Sequence, residues 1–256
     1  MNFVEANRRI SWRLTPAYIR EANTFAMYVK VAQLLLSRPD VETVVDVGAG
    51  RKWQFPAELK QHYGLKLIGI DVDADEIALN DELDESIVAD AMTAWPVVPG
   101  SVDLVMCHSG VEHFADNRAF LSAAYTALRP GGYAVMQFPS PWAPFAILNR
   151  LLPTSLTRWL LHNLIPGSDG VLGFKAHYNR TRYAPFARLA QSEGLEIDYH
   201  YPGYFSADYF GFFVPLYFLA HGFDLFRFAL GSRNLASYNL FVLRKPVAAS
   251  GAASPS

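Results

Sequence analysis

From Thr43 onward, short apolar runs alternate with stretches whose apolar residues recur at helical spacing, the order that βαβ units and a mostly parallel sheet impose. Strands are predicted at TVVDV (43–47), KLIGI (66–70), SIVAD (86–90), VDLVMC (102–107) and YAVMQF (133–138). Two more are predicted at LEIDYHY (195–201) and YNLFVLR (238–244). The segments between them carry helix punctuation. Pro56 opens a helix that Gly64 ends, Asp73 with Glu76 forms a capping box, and Asp116 caps a third helix that stops at Arg129-Pro-Gly-Gly. In that third helix Phe120, Leu121, Ala124, Tyr125 and Leu128 share the side expected on the sheet. One helix is predicted over 16–37, with Thr15 as cap and Pro16 in its first turn, and another near 183–193. The expected fold class is α/β, a seven-stranded mostly parallel sheet with helices on both faces.

The alternation lapses twice, over 139–180 after strand 5 and over 202–235 between strands 6 and 7. The plan is therefore an N-terminal helical segment (1–40), one domain (41–246) with these two insertions, and a tail (247–256) whose composition predicts disorder. Within the second insertion, 209–223 is a run of fifteen residues without a charge. A membrane span needs about 20 apolar residues, and strands 6 and 7 of one sheet cannot lie on opposite sides of a bilayer. Continued as a helix, this run puts His221, Asp224 and Arg227 on one side and Leu219, Phe223, Phe226 and Leu230 on another, with a kink expected at Pro215. Three readings stay open for it: a cap packed on the first insertion, shallow docking on an anionic membrane, and a dimer interface. The first insertion mixes Phe145, Ile147, Leu148, Leu151, Leu152, Trp159 and Leu160 with Arg150 and Arg158. Such a mixture suits anionic headgroups or a phosphate-bearing lipid. Oligomeric state is left open by the sequence.

Composition narrows the class. Of 256 residues, 51% are hydrophobic and 18% charged, the balance of a folded globular chain. The single cysteine, Cys107, rules out an internal disulfide and a multi-cysteine zinc site. Charges in the opening MNFVEANRRISW occupy the place of a signal peptide's apolar core, so residence in the cytoplasm is expected, with association at the inner face of the membrane as a further option. The net charge of −2 hides an asymmetry: 71–90 holds nine acids and no Lys or Arg, whereas 141–190 holds six Lys or Arg and one acid. Without a basic surface interleaved with aromatics, nucleic acid is not an expected partner.

The candidate chemistry begins at VVDVGAG, 44–50. A strand ending in Gly-x-Gly lets the backbone turn tightly and approach a ligand at the carboxyl end of the sheet. A dinucleotide fingerprint would need a third glycine at position 53, where Trp53 stands, so a phosphate-cradling turn is not written here. Asp71 ends strand 2, placed to accept both ribose hydroxyls of an adenosine-bearing ligand, and Asp90 ends strand 3, placed to accept from an adenine amino group. Either acid alone is also an ordinary cap or turn residue.

With these residues in view, the chain resembles the class I S-adenosylmethionine-dependent methyltransferases of the methyltransferase-11 type. The pieces that carry the resemblance, over 41–139, are VVDVGAG, IGIDVD, VADAM, DLVMCHSGVEHF and LRPGGYAVMQFP. It implies a Rossmann-like fold and S-adenosylmethionine as cofactor, with S-adenosylhomocysteine as product. It further implies that Asp46, Gly48, Ala49 and Gly50 surround the methionine portion, that Asp71 holds the ribose and that Val72 lies against the adenine. Asp90 and Ala91 would read the adenine edge, with His108 near the sulfonium. Looser similarity in 177–197 and 209–218 is to bacterial methyltransferases of surface glycans or lipid-borne intermediates.

Methyl transfer to a hydroxyl is helped by a general base. His113, after strand 4, is the first candidate and His177, in the first insertion, the second. A related Glu-x-x-Glu-His metal element lacks its first carboxylate, since Ser109 stands there before Glu112 and His113, so a metal is not expected. The expected activity is O-methylation of a small-molecule or lipid-linked acceptor, glycan or quinol-like. The alternatives are a non-catalytic membrane- or partner-binding protein of the same fold and an NAD-dependent oxidoreductase.

Overall fold

The computed structural model describes residues 2–152 and 175–247. Expectations resting on Arg158, Trp159 and Leu160, and on the tail beyond Val247, lie outside these residues.

Strands β1 (Thr43–Val47), β2 (Lys66–Asp71), β3 (Glu85–Val88), β4 (Val102–His108), β5 (Leu128–Pro139), β6 (Glu196–Gly203) and β7 (Tyr238–Arg244) form one sheet in the order β3-β2-β1-β4-β5-β7-β6. The first five are parallel, and β7 runs antiparallel to both β5 and β6. The expected seven-stranded, mostly parallel architecture is thus borne out. Connections leave β1 toward β2 on one side and β4 on the other, so a crevice opens at the carboxyl ends of β1 and β4, where such sheets bind ligands.

Alternation along the strands builds a core on each face. Val45, Val47, Ile70, Val105 and Met136 point to a layer made by α6 (Asn117–Ala127) and α8 (Tyr183–Ser192), through Phe120, Leu121 and Phe186. Val44, Leu67, Leu104, Met106 and Val135 point the other way, onto α3 (Thr24–Leu36) with its buried Tyr28, Ala32 and Leu36. Two short helices, α4 (Ala57–Tyr63) and α5 (Ala74–Ile77), follow β1 and β2. Gly64 ends α4 in the left-handed conformation, as its position after the periodic run predicts.

Several expectations need correction. The single helix over 16–37 is α2 (Ala17–Glu21) followed by α3, because the Asn23 side chain accepts from the N–H groups of Phe25 (2.8 Å) and Ala26 (3.3 Å) and restarts the helix there. An unpredicted α1 (Phe3–Leu14) opens the chain with a capping box between Asn2 and Glu5. Asp73 caps α5, but Glu76 closes no box, since its carboxylate pairs with Arg51. β3 stops at Val88, two residues before Asp90, and α6 stops at Ala127, where β5 already begins.

The insertions form a layer of their own. It holds α7 (Pro144–Leu151) and α9 (Val214–Leu230), onto which α1 docks. Pro215 sits in the first turn of α9, where a missing N–H costs nothing, so it opens the helix and produces no kink. The polar side of α9 is the buried one: Asp224 and Arg227 are fully enclosed and paired with each other, while Leu219, Phe226 and Leu230 face outward.

Candidate functional site

The glycine turn leaves β1 at the sheet's carboxyl edge. Gly48 (φ 75°) and Gly50 (φ 52°) are both left-handed, a conformation that a β-carbon disfavours. The space that a β-carbon would enter at either glycine is empty to 4 Å. The turn is fixed from below: Gly48 N–H donates to the Ile70 carbonyl (2.8 Å), and the Asn80 amide donates to the carbonyls of Ala49 (3.2 Å) and Gly50 (3.1 Å). Buried Asn80 escaped the sequence reading, since nothing local ties it to a loop thirty residues earlier.

Asp71 closes the turn from β2. One carboxylate oxygen accepts from Gly50 N–H (2.9 Å) and the other from Asp73 N–H (2.9 Å), which leaves each a further lone pair. Asp46 lies beneath, buried one residue before the end of β1, and burial together with the charge of Asp71 pushes its pKa up to about 7. Beyond the turn, Val72 is 58% exposed, an apolar surface with no partner in the core. Asp90 is exposed in the loop after β3, where one oxygen accepts from Met92 N–H (2.8 Å), a local turn bond. Ala91 beside it is buried, and its carbonyl accepts from the Trp95 indole (3.1 Å).

At the tip of β4, His108 lies between the rings of Phe25 (4.9 Å) and Tyr28 (5.0 Å) of α3, and burial lowers its pKa to about 4, so the imidazole is neutral. The start of α3 thereby packs against the tip of β4. Ser109 follows with φ 54°, a conformation uncommon for a non-glycine residue.

The next turn, Val111–His113, carries Glu112 inward. Its carboxyl is buried, one oxygen has no hydrogen-bond partner among the described residues, and burial raises its pKa to about 8. The other oxygen is 3.8 Å from His113 Nε2. The Glu112 carbonyl accepts from the main-chain N–H groups of His177 (2.8 Å) and Tyr178 (3.0 Å). Both sequence-proposed bases therefore converge on Glu112, which had been weighed only as half of a metal element. They do so differently: the His113 ring is one-third exposed and close, whereas His177 approaches through its backbone and its residue is exposed. Tyr178 (φ 51°) and Arg180 (φ 56°) are left-handed, so unusual backbone gathers on this rim.

Past Glu112 the wall is phenolic. Tyr178 has its pKa raised by burial and by the charge of Glu112, and Tyr238 by burial and the nearby Asp208, Tyr209 and Glu112. Phe145 of α7 stacks on Tyr209 (4.8 Å), joining this wall to the insertion layer. Among the described residues, no group of three or more His, Cys, Asp or Glu side chains is placed to hold a metal.

The geometry also bears on a dinucleotide. Binding a pyrophosphate at a glycine turn uses the N-terminus of the helix that follows directly. Here the chain stays non-helical from Arg51 to Pro56, α4 starts only at Ala57, and Trp53 is buried in the core in between.

Residues 45–136 match the family described as Methyltransferase domain (Methyltransf_11). No curated protein matches the sequence. Among solved structures, the chain is similar to an S-adenosylmethionine-dependent methyltransferase from Mesorhizobium loti, at 15% identity and a TM-score of 0.53 over 83% of this chain and 95% of that one. It is similar to a geranyl diphosphate methyltransferase in complex with GPP and sinefungin, at 15% identity and a TM-score of 0.52 over 85% of this chain and 78% of that one. It is also similar to the cyclase SpnF, at 14% identity and a TM-score of 0.52 over 85% and 81%. At such identities the likeness is one of fold, and the presence of a cyclase among these structures shows that the fold alone does not fix a reaction. Residues 45–136 thus match a methyltransferase-domain family, in a chain whose sheet has the Rossmann-like fold of class I methyltransferases.

Proposed function

We propose that the protein is an S-adenosylmethionine-dependent methyltransferase that O-methylates a hydroxyl on an amphipathic or lipid-linked acceptor, glycan or quinol-like. The observation that carries this reading is the open space over Gly48 and Gly50, bordered by a carboxylate, Asp71, that is fixed to the turn and retains acceptor capacity. When bound, S-adenosylmethionine supplies a methyl group on a cationic sulfur, so the chain's work is to hold, align and exclude water.

In this reading Asp71 accepts from the ribose hydroxyls, Val72 covers one face of the adenine, and Asp90 with Ala91 borders its edge. Asp46, Gly48, Ala49 and Gly50 surround the methionine portion, whose ammonium would favour the charged form of Asp46. Neutral His108, seated on Phe25 and Tyr28, closes the sulfonium end. His113 takes the proton of the acceptor hydroxyl, with Glu112 facing the imidazolium that results. His177 acts through its main chain, positioning Glu112. The phenolic wall and the apolar groove between α7 and α9, about 360 Å³ and lined by residues such as Ile147, Leu148 and Leu219, suit an acceptor with a polar head and an apolar tail.

Calorimetry with S-adenosylmethionine and S-adenosylhomocysteine tests the cofactor half, and lack of binding by both at millimolar concentration rejects it. Incubation with labelled methyl donor and total lipid or glycan extract tests the acceptor half. Label in an ether methyl is expected; label in an ester methyl overturns the hydroxyl acceptor, and label on nitrogen or carbon overturns O-methylation. Loss of a general base predicts that His113→Ala lowers kcat about 10²–10⁴-fold, while His177→Ala keeps it within a few-fold.

A further inference from the structure

Amphipathic helices ordinarily turn their charged side chains to water and their apolar stripe inward. Helix α9 reverses this. Its only Asp, Glu, Lys or Arg residues are Asp224 and Arg227, and both are enclosed. Arg227 is held by Asp224, by the carbonyls of Trp142 (2.8 Å), Leu235 (3.1 Å) and Tyr204 (3.2 Å), and by Ser237 Oγ (2.7 Å). The outer half of the helix, about 25 Å long at 1.5 Å per residue, presents Phe218, Leu219, Leu225, Phe226 and Leu230, from 38% to 71% exposed.

Helix α1 extends the same surface. It is fastened to the start of α9 by Thr15 Oγ1 against the Tyr217 hydroxyl (2.6 Å), by Val214 N–H donating to Asn7 (3.0 Å), and by the Phe3 and Phe213 rings at 6.5 Å. Phe3, Ile10 and Leu14 form its exposed apolar stripe. Exposed Arg9 and Arg13 lie about a quarter turn away at 100° per residue. Exposed Trp12 carries the Arg20 guanidinium over its ring at 5.0 Å. From Phe3 to Arg20 there are four arginines and one glutamate.

We propose that α1 and α9 together lie in the plane of an anionic membrane, with the outer face of α9 and the Phe3 stripe among the acyl chains and Arg9, Arg13 and Arg20 at headgroup level. A basic helix with an aromatic-aliphatic face is what an interfacial anchor requires, and no helix among the described residues is long and apolar enough to cross a membrane. Charge chooses the occupant. A second copy seated on this surface by a two-fold axis would bring the same arginines against each other, whereas anionic headgroups neutralise them. The α7–α9 groove opens on the same side through Leu219 and Phe223, giving a lipid chain a path off the bilayer.

The test is sedimentation of the full chain with vesicles of phosphatidylcholine containing phosphatidylglycerol, and with phosphatidylcholine alone, without methyl donor. Because methyl transfer is not read, failure here and failure of the catalytic reading are separate results. The protein is expected to pellet with the anionic vesicles and to be released by high salt. Leu219→Asp with Phe226→Asp should weaken partitioning at least tenfold. Arg9→Glu with Arg13→Glu should remove the preference for anionic lipid. Each position is exposed, and circular dichroism of both variants confirms the fold; Leu219→Ser with Phe226→Ser provides an uncharged check. Wild-type protein left in the supernatant, or either pair of variants pelleting like wild type, overturns the proposal. A dimer in sedimentation velocity that Leu219→Asp with Phe226→Asp splits, with no vesicle binding, overturns it in favour of a second copy.

Discussion

Two regions of the molecule treat buried polar groups in opposite ways. At the strand tips, Asp71 and Asn80 bind backbone atoms of the glycine turn, and acceptor capacity and open space are left over. In the insertion layer the two terminal nitrogens of Arg227 are taken up by five partners and Asp224 by Arg227 and Ser206, and the one donor left over, Arg227 Nε, is itself buried. The first region is polar so that it can receive something. The second is polar inside so that its outside can be apolar. A buried charge that offers nothing to a ligand marks scaffolding, whereas a buried carboxyl with unspent hydrogen-bonding capacity, such as Glu112, marks a place for chemistry.

The sharpest way to break this contrast is at Arg227. Truncation to Met leaves Asp224 enclosed without its cation, which predicts a loss of about 3–5 kcal/mol in unfolding free energy. Replacing Asp224 and Arg227 together by Asn and Met should cost less than Arg227→Met alone, because no stranded charge remains. Denaturant melts of the three variants measure this, and a single variant within 1 kcal/mol of wild type, a limit set by the ordinary scatter of surface substitutions of about 0.5 kcal/mol, would show that the pair does not hold the layer.

The same contrast explains what the sequence could convey. Strands β1 and β7 are readable to the residue because a short apolar run bounded by turn residues has few other solutions in an α/β chain. The glycine turn is readable because only glycine takes its φ values freely. Helical periodicity placed His221, Asp224 and Arg227 on one side of α9, yet it says only which residues share a side and not which side the fold covers. The inward orientation depends on carbonyls from Trp142, Tyr204 and Leu235, which no local pattern announces. Asn80 and Glu112 were missed for the same reason: each matters through atoms brought in from a distant loop. Helix α1 was missed although its Asn2–Glu5 box was in plain sight, while the break at Asn23 shows a cap overriding continuous apolar spacing.

The strand-tip region should reveal its unspent carboxyls through pH. Asp46 and Glu112 have folded-state pKa values of about 7 and about 8, above their ordinary ranges. The folded chain therefore keeps protons that the unfolded chain has lost, and stability falls as pH rises through these values. His108 and His200, with pKa values lowered to about 4, oppose this only below the ordinary histidine range. Between pH 7 and 8.5 the two carboxyls should cost about 1–2 kcal/mol together. Melting at both pH values, with Asp46→Asn and Glu112→Gln, checks it. Each variant should flatten the slope, and an unchanged slope in the double variant would assign the effect elsewhere.

The finest distinction lies within the strand tips, between two acids that the sequence treats alike. Asp71 is fixed by two backbone donors, one of them in the turn itself, and its replacement by Ala removes both the proposed ribose acceptors and a support of the turn. Loss of such hydrogen bonds predicts S-adenosylmethionine binding weaker by about 1–3 kcal/mol. Asp90 is exposed, two residues beyond the end of β3, and spends one oxygen on its own turn. A single solvent-competed hydrogen bond to adenine is worth about 0.5–1.5 kcal/mol, so Asp90→Ala should sit at or below the lower end of the Asp71→Ala effect. Calorimetry of both variants under one condition decides the order. If Asp90→Ala costs more than Asp71→Ala, adenine recognition rather than the ribose clasp dominates the site, and support of the glycine turn by Asp71 is structural alone.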